Sequence, residues 1–110
     1  MDKYIKKTEE LLKNYRKYMA IIKNDDLDPK ERKHIAIQLK KVNNALEVLS
    51  DRDKLIIEEY YFKKNQLKCI SSIVNLEESY LSSYKKEILK EITPIIFVAE
   101  LAYEKKSEIN

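Results

Sequence analysis

The sequence predicts an all-α protein, and three observations carry that expectation. The chain of 110 residues contains no glycine and only two prolines. Tight turns between strands usually draw positive φ from glycine, so a multi-stranded sheet is hard to close here. Lysine, glutamate, leucine and isoleucine dominate the composition, which suits helices. Apolar residues also recur at alternating spacings of three and four along most of the chain, the period of an amphipathic helix.

Tyr4, Thr8, Leu11, Tyr15, Tyr18 and Ile22 form the first such stripe, widened by Ile5, Leu12 and Met19. It predicts one continuous helix of about five or six turns. Asn24-Asp25-Asp26-Leu27 interrupts it with turn-forming residues. Asp28-Pro29-Lys30-Glu31 then starts a second helix, with Asp28 as cap, Pro29 at the first helical position and Glu31 completing a capping box. Its stripe is Ile35, Leu39, Val42, Leu46 and Leu49, so residues 1–49 are expected to zip into an antiparallel helical hairpin. Ser50-Asp51-Arg52-Asp53 is a second capping sequence, opening a helix that carries Leu55, Ile56, Tyr60 and Phe62. A polar turn at Lys63-Lys64-Asn65-Gln66 leads to a short helix over 67–74, a break at Asn75-Leu76-Glu77 and a longer helix over 78–92. Thr93-Pro94 has the form of another cap, with an apolar last helix over 95–103.

Composition narrows the functional classes. Charged residues make up 37% of the chain, yet the formal net charge is +3, so bulk charge alone says little about a polyanionic partner. The single cysteine, Cys69, excludes an intrachain disulfide and points to a reducing compartment. By helix count its thiol is expected to face inward, as a structural group. Met1-Asp2-Lys3 runs straight into the first amphipathic stripe without a signal-like segment. The most apolar run, Pro94 to Ala99, is too short to cross a bilayer, so a cytoplasmic protein without a membrane partner is expected. His34, alone among Lys30, Arg32 and Lys33, reads as a surface residue. With no metal-ligand cluster, no glycine-rich phosphate loop and no nucleophile beside a base, neither an enzyme nor a cofactor is expected.

The segment from 67 to 92 has the arithmetic of a helix-turn-helix: a short helix, a turn of about three residues, and a second helix anchored by apolar residues. Ile70 and either Ile73 or Val74 would anchor the first helix, and Ser71 sits where a small residue lets two helices approach. Asn75 suits a left-handed turn position, and Leu76 would plug the turn into the core. Leu81, Tyr84, Ile88 and Ile92 would hold the second helix, leaving Ser79, Tyr80, Ser82, Ser83, Lys85 and Lys86 outward. The divisions expected are therefore a hairpin over 1–49, a helix-turn-helix unit over 50–93 and an apolar helix and tail over 94–110.

Ala45 through Asp53, with Ile57 and Tyr60-Tyr61, resembles the entry helices of the sigma-factor region-four domain, where a leucine, serine or proline, x, arginine start leads into an apolar helix. Cys69-Ile70-Ser71, Val74-Asn75-Leu76-Glu77 and Ser79-Tyr80-Leu81 fall in the register of that family's turn and recognition helix. With Leu11-Leu12-Lys13-Asn14-Tyr15, the chain resembles phage transcriptional regulators of the ArpU and RinA type. Ser71 stands where that family has alanine and Asn75 where it has glycine. The resemblance implies a sequence-specific transcriptional regulator of double-stranded DNA, of phage or prophage origin, with RNA polymerase as a further partner. It makes Ser79, Tyr80, Ser82 and Ser83 candidate base readers. Lys63, Lys64, Lys68, Lys85, Lys86 and Lys90 become candidates for phosphate contact.

Residues 66–93 hold four lysines and four glutamates and no arginine, so the segment is neutral. That keeps two alternatives open: a helical module binding RNA polymerase or a sigma factor without touching DNA, and a small DNA-recognition subunit of a phage terminase. A homodimer, through the helix over 94–103 or the N-terminal hairpin, would suit paired half-sites.

Overall fold

The computed structural model describes the backbone of residues 2–109 and side chains through residue 106. It is all-helical: α1 Asp2–Lys13, α2 Tyr15–Ile21, α3 Pro29–Leu46, α4 Asp51–Ile57, α5 Leu67–Val74, α6 Glu78–Ile96 and α7 Val98–Ile109, with no strand among the described residues. No helix among them is long and apolar enough to cross a membrane.

The first stripe does not make one helix. Asn14 separates α1 from α2, its backbone at φ −99° and ψ 4°. Its side-chain amide shares the Glu10 carbonyl at 2.8 Å with its own backbone N–H at 3.1 Å, so the helical ladder continues through a locally distorted residue. Pro29 does occupy the first turn of α3, but Asp28 makes no side-chain cap. The turn before it is held instead by Arg32, whose guanidinium donates to the carbonyls of Ile22 and Asn24. Ser50 caps α4 as expected, its Oγ accepting the Asp53 N–H at 3.2 Å.

α4 runs into a single π-helical turn, Glu58–Phe62. The exit needs Lys64 at φ 59°, a conformation that glycine would adopt more cheaply. The Glu59 carboxylate secures it by accepting from Lys63 Nζ at 2.9 Å and from the Asn65 amide. Those two donors, Lys63 first, hold the Glu59 carboxyl below the ordinary carboxylate value.

Pro94 does not begin the last helix. It lies inside α6, which continues to Ile96, and α7 starts at Val98. Proline there removes the hydrogen bond to the Lys90 carbonyl. Burial of Ile92, Thr93 and Ile96 carries the helix through, and the break falls at Phe97, with φ −108° and ψ 32°.

α6 is the spine of the molecule: α1 and α3 both pack along it, and α5 covers its start. Leu12, Val42, Leu46, Ile56, Tyr61, Ile70, Leu81, Ile88 and Ile92 share one core. At the α1–α6 contact the Thr8 and Thr93 hydroxyls meet at 2.9 Å, each also within reach of a carbonyl one turn back. Two buried polar groups are thus satisfied inside an apolar interface. The body is flat, 44 × 42 × 20 Å, with a radius of gyration of 15.6 Å. A compact domain of this length would have about 13 Å. A flat body leaves more apolar side chains near solvent than a sphere would.

Candidate nucleic-acid interface

α5 and α6 are joined by Asn75-Leu76-Glu77. Asn75 adopts the left-handed conformation, φ 59° and ψ 42°, as the end of α5 requires. Ser71 closes the turn from below. Its carbonyl accepts the Leu76 N–H at 3.3 Å, and its hydroxyl donates to the Leu76 carbonyl. A residue expected only to be small therefore also acts as a hydrogen-bonding clasp. Ile70 is fully buried, Val74 and Leu76 pack against the core, and Ile73 stays 54% exposed. Of the two anchors offered for the end of α5, Val74 serves and Ile73 does not.

Leu81, Ile88, Leu89 and Ile92 face the core from α6. Ser79, Ser82, Ser83, Lys86 and Lys90 are all exposed, and their helical spacing gathers them into one outward stripe. Tyr80 flanks the stripe, 53% exposed, its ring stacked on Tyr84 with centroids 5.7 Å apart. All four candidate base readers thus lie on an open, mostly polar stretch of little more than one turn, which Lys86 and Lys90 extend.

The six candidate phosphate lysines divide by what already holds them. Lys86 and Lys68 are exposed, and neither enters an ion pair among the described residues. Lys90 is paired with Glu87 at 3.2 Å and Lys63 with Glu59 at 2.9 Å. Lys64 Nζ donates to the Lys13 carbonyl at 3.0 Å. Lys85 departs from expectation: it is half-buried, its ammonium 3.7 Å from the centre of the Tyr60 ring. The aromatic face attracts the cation, so Lys85 braces α6 against the end of α4. Cys69 also departs, being exposed on α5 beside Lys68. The docking of α5 buries Ile70 alone and rotates its neighbour outward.

One arrangement lies outside the expected set. Tyr84 O–H donates to Asp53 Oδ1 at 2.6 Å and accepts from Arg52 Nη2 at 2.9 Å. The Arg52 guanidinium also lies 5.1 Å from the centre of the Tyr84 ring. The carboxylate of Asp53 pushes the Tyr84 hydroxyl up from its ordinary pKa, and the hydrogen bond to Tyr84 raises that of Arg52, which is charged in either case. α4 thereby sets an arginine against the flank of α6, whose own segment has none. A signal was present: a semi-buried tyrosine needs a partner for its hydroxyl, and Asp53 stands in the capping sequence of the neighbouring helix. Against these cations, Glu77 and Glu78 stand exposed at the start of α6, favourable to the helix dipole and repulsive to a phosphate.

Comparison of the chain with family models, with characterised proteins and with solved structures found no match.

Proposed function

We propose that the chain is a sequence-specific binder of double-stranded DNA that regulates transcription, with α5, the Asn75 turn and α6 working as a helix-turn-helix of the sigma region-four kind. The observation that supports this best is the stripe Ser79, Ser82, Ser83 and Lys86, flanked by Tyr80, on a helix held to the core by Leu81 and, further on, by Ile88, Leu89 and Ile92. Such a helix can enter a major groove without surrendering core contacts. Serine hydroxyls read base edges as donor or acceptor, and Tyr80 packs on a thymine methyl or reaches the backbone. Lys68 and Lys86 meet phosphates directly, while Arg52, paired with Asp53 at 3.7 Å, joins like Lys63 and Lys90 only by giving up its carboxylate. A phage or prophage regulator, helped by RNA polymerase or by self-association, accords with so few free cations. The exposed Ile95 at the end of α6, with Val98 and Tyr103 on α7, favours self-association through this end of the chain.

A second reading rests on Ile73 and Tyr80, both more than half exposed beside the turn: the same face could dock on a protein such as RNA polymerase. One experiment separates the two. Fragments of the source genome are selected on the protein, and the enriched DNA is titrated by fluorescence anisotropy at low and physiological salt. The expected result is one enriched site whose affinity falls steeply with salt. No enrichment, with only feeble low-salt binding, overturns DNA recognition in favour of the protein partner.

A further inference from the structure

Three residues that helical spacing assigns to the core, Leu11, Tyr18 and Ile35, are only half-buried. They come from α1, α2 and α3, and with Phe97 they line one cleft of about 430 Å3. The cleft has a structural cause. α1 and α3 each pack more extensively on α6 than on each other, while Arg32 ties the turn between α2 and α3. The stripes meant to meet are therefore held apart. Phe97, the most buried of these residues, forms the floor at the break between α6 and α7, its ring 5.2 Å from that of Tyr4.

The rim has a different character. Lys6, Lys7 and His34 stand there against a single acid, Glu10, and all four are exposed. Neither lysine enters an ion pair among the described residues. Two ammonium groups and one carboxylate leave one positive charge uncompensated at the mouth of an apolar hollow. Small-molecule sites span roughly 300–1,000 Å3, mostly apolar with a few polar groups that fix orientation.

We propose that this cleft binds an apolar monocarboxylate such as a medium-chain fatty acid. Its chain packs on Leu11, Tyr18, Ile35 and Phe97, and its carboxylate lies between Lys6 and Lys7 with the His34 ring as a further donor. One negative charge matches the rim, and the concave hollow suits a single slender ligand better than a flat protein surface. The site shares no residue with the candidate DNA interface and stands whether or not the chain binds DNA.

The test is a 1H–15N NMR titration of the full chain with decanoate, decanol and decyltrimethylammonium. Decanoate is expected to shift amides around Leu11, Tyr18, Ile35 and Phe97, saturably, with decanol at least tenfold weaker and the cation weaker still. The double variant K6E/K7E, which keeps the dispersed spectrum because both residues are exposed, should lower decanoate affinity by about tenfold. Equal affinity for decanol, shifts lying elsewhere, or unchanged binding by K6E/K7E would each overturn the proposal. Shifts in the cleft that grow with protein concentration alone would overturn it too, giving the cleft to a second copy of the chain.

Discussion

Between Glu78 and Lys86, α6 buries one side chain, Leu81; between Ile88 and Ile96 it buries Ile88, Leu89, Ile92, Thr93 and Ile96. The first stretch is open on most of its circumference, while the second is enclosed by α1 and α3. The difference shows how a small flat protein frees part of a helix for contact. The core grips one end, and a few specific contacts steady the other: the Ser71 clasp, the Tyr84–Asp53 hydrogen bond and Lys85 on Tyr60. Burial and exposure are divided along one helix.

The contrast can be broken at its strong end. Ile92→Ala removes a fully buried side chain and should cost about 2–5 kcal/mol in urea unfolding, whereas Ser82→Ala should stay within about 0.5 kcal/mol. Similar losses at both sites would erase the distinction. Replacing Lys68 and Lys86 together with alanine should weaken DNA binding to every sequence and flatten the log–log salt slope by about two. Lys85→Ala sharpens the comparison, because a cation seated on Tyr60 should show its loss mainly in thermal stability and barely in the salt slope. A slope change equal to that of Lys86→Ala would return Lys85 to the phosphate contacts.

A smaller effect is expected at the turn. Asn75→Ala, forcing a Cβ-bearing residue without asparagine's local hydrogen bonding into φ 59°, should cost about 1 kcal/mol, and Asn75→Gly should restore it. The smallest concerns pH. Glu59 has a lowered pKa in the folded protein, so its contribution is complete above the ordinary carboxylate value and is lost as pH falls through its own. Unfolding midpoints of the parent and Glu59→Gln should therefore differ at pH 7 and converge from about pH 5 downward. A gap that does not narrow at all as pH falls below the ordinary carboxylate value would mean that packing, not charge, holds the exit of α4.

Much of the local chemistry was legible in the sequence, though not the missing Asp28 cap or the break at Asn14, and the tertiary chemistry was not. The cap at Ser50, proline in the first turn of α3, the bounds of α5 and the left-handed Asn75 all follow from residues within a few positions of each other. The exposed serine face also follows from spacing alone. The break at Asn14 is a single residue that leaves the backbone ladder across it intact, and an apolar stripe runs through it without a mark. Pro94 has the form of a cap, yet contacts from α1 and α3 carry the helix through it. Lys85 and Cys69 turned out differently because the rotation of a docked helix is fixed by its neighbours. The Arg52–Tyr84–Asp53 set joins residues more than thirty positions apart, beyond any pattern confined to one helix.

The Tyr4 hydroxyl donates to Glu104 across 100 residues, and the Thr8–Thr93 contact spans 85. During synthesis, α1 therefore leaves the ribosome long before the helix that covers it exists. Before α6 emerges its apolar stripe has only α2, α3 and the Glu58–Phe62 turn to pack on, and its largest single contact, with α6, is absent. Closing so long a loop costs chain entropy, which the α1–α6 contact has to offset.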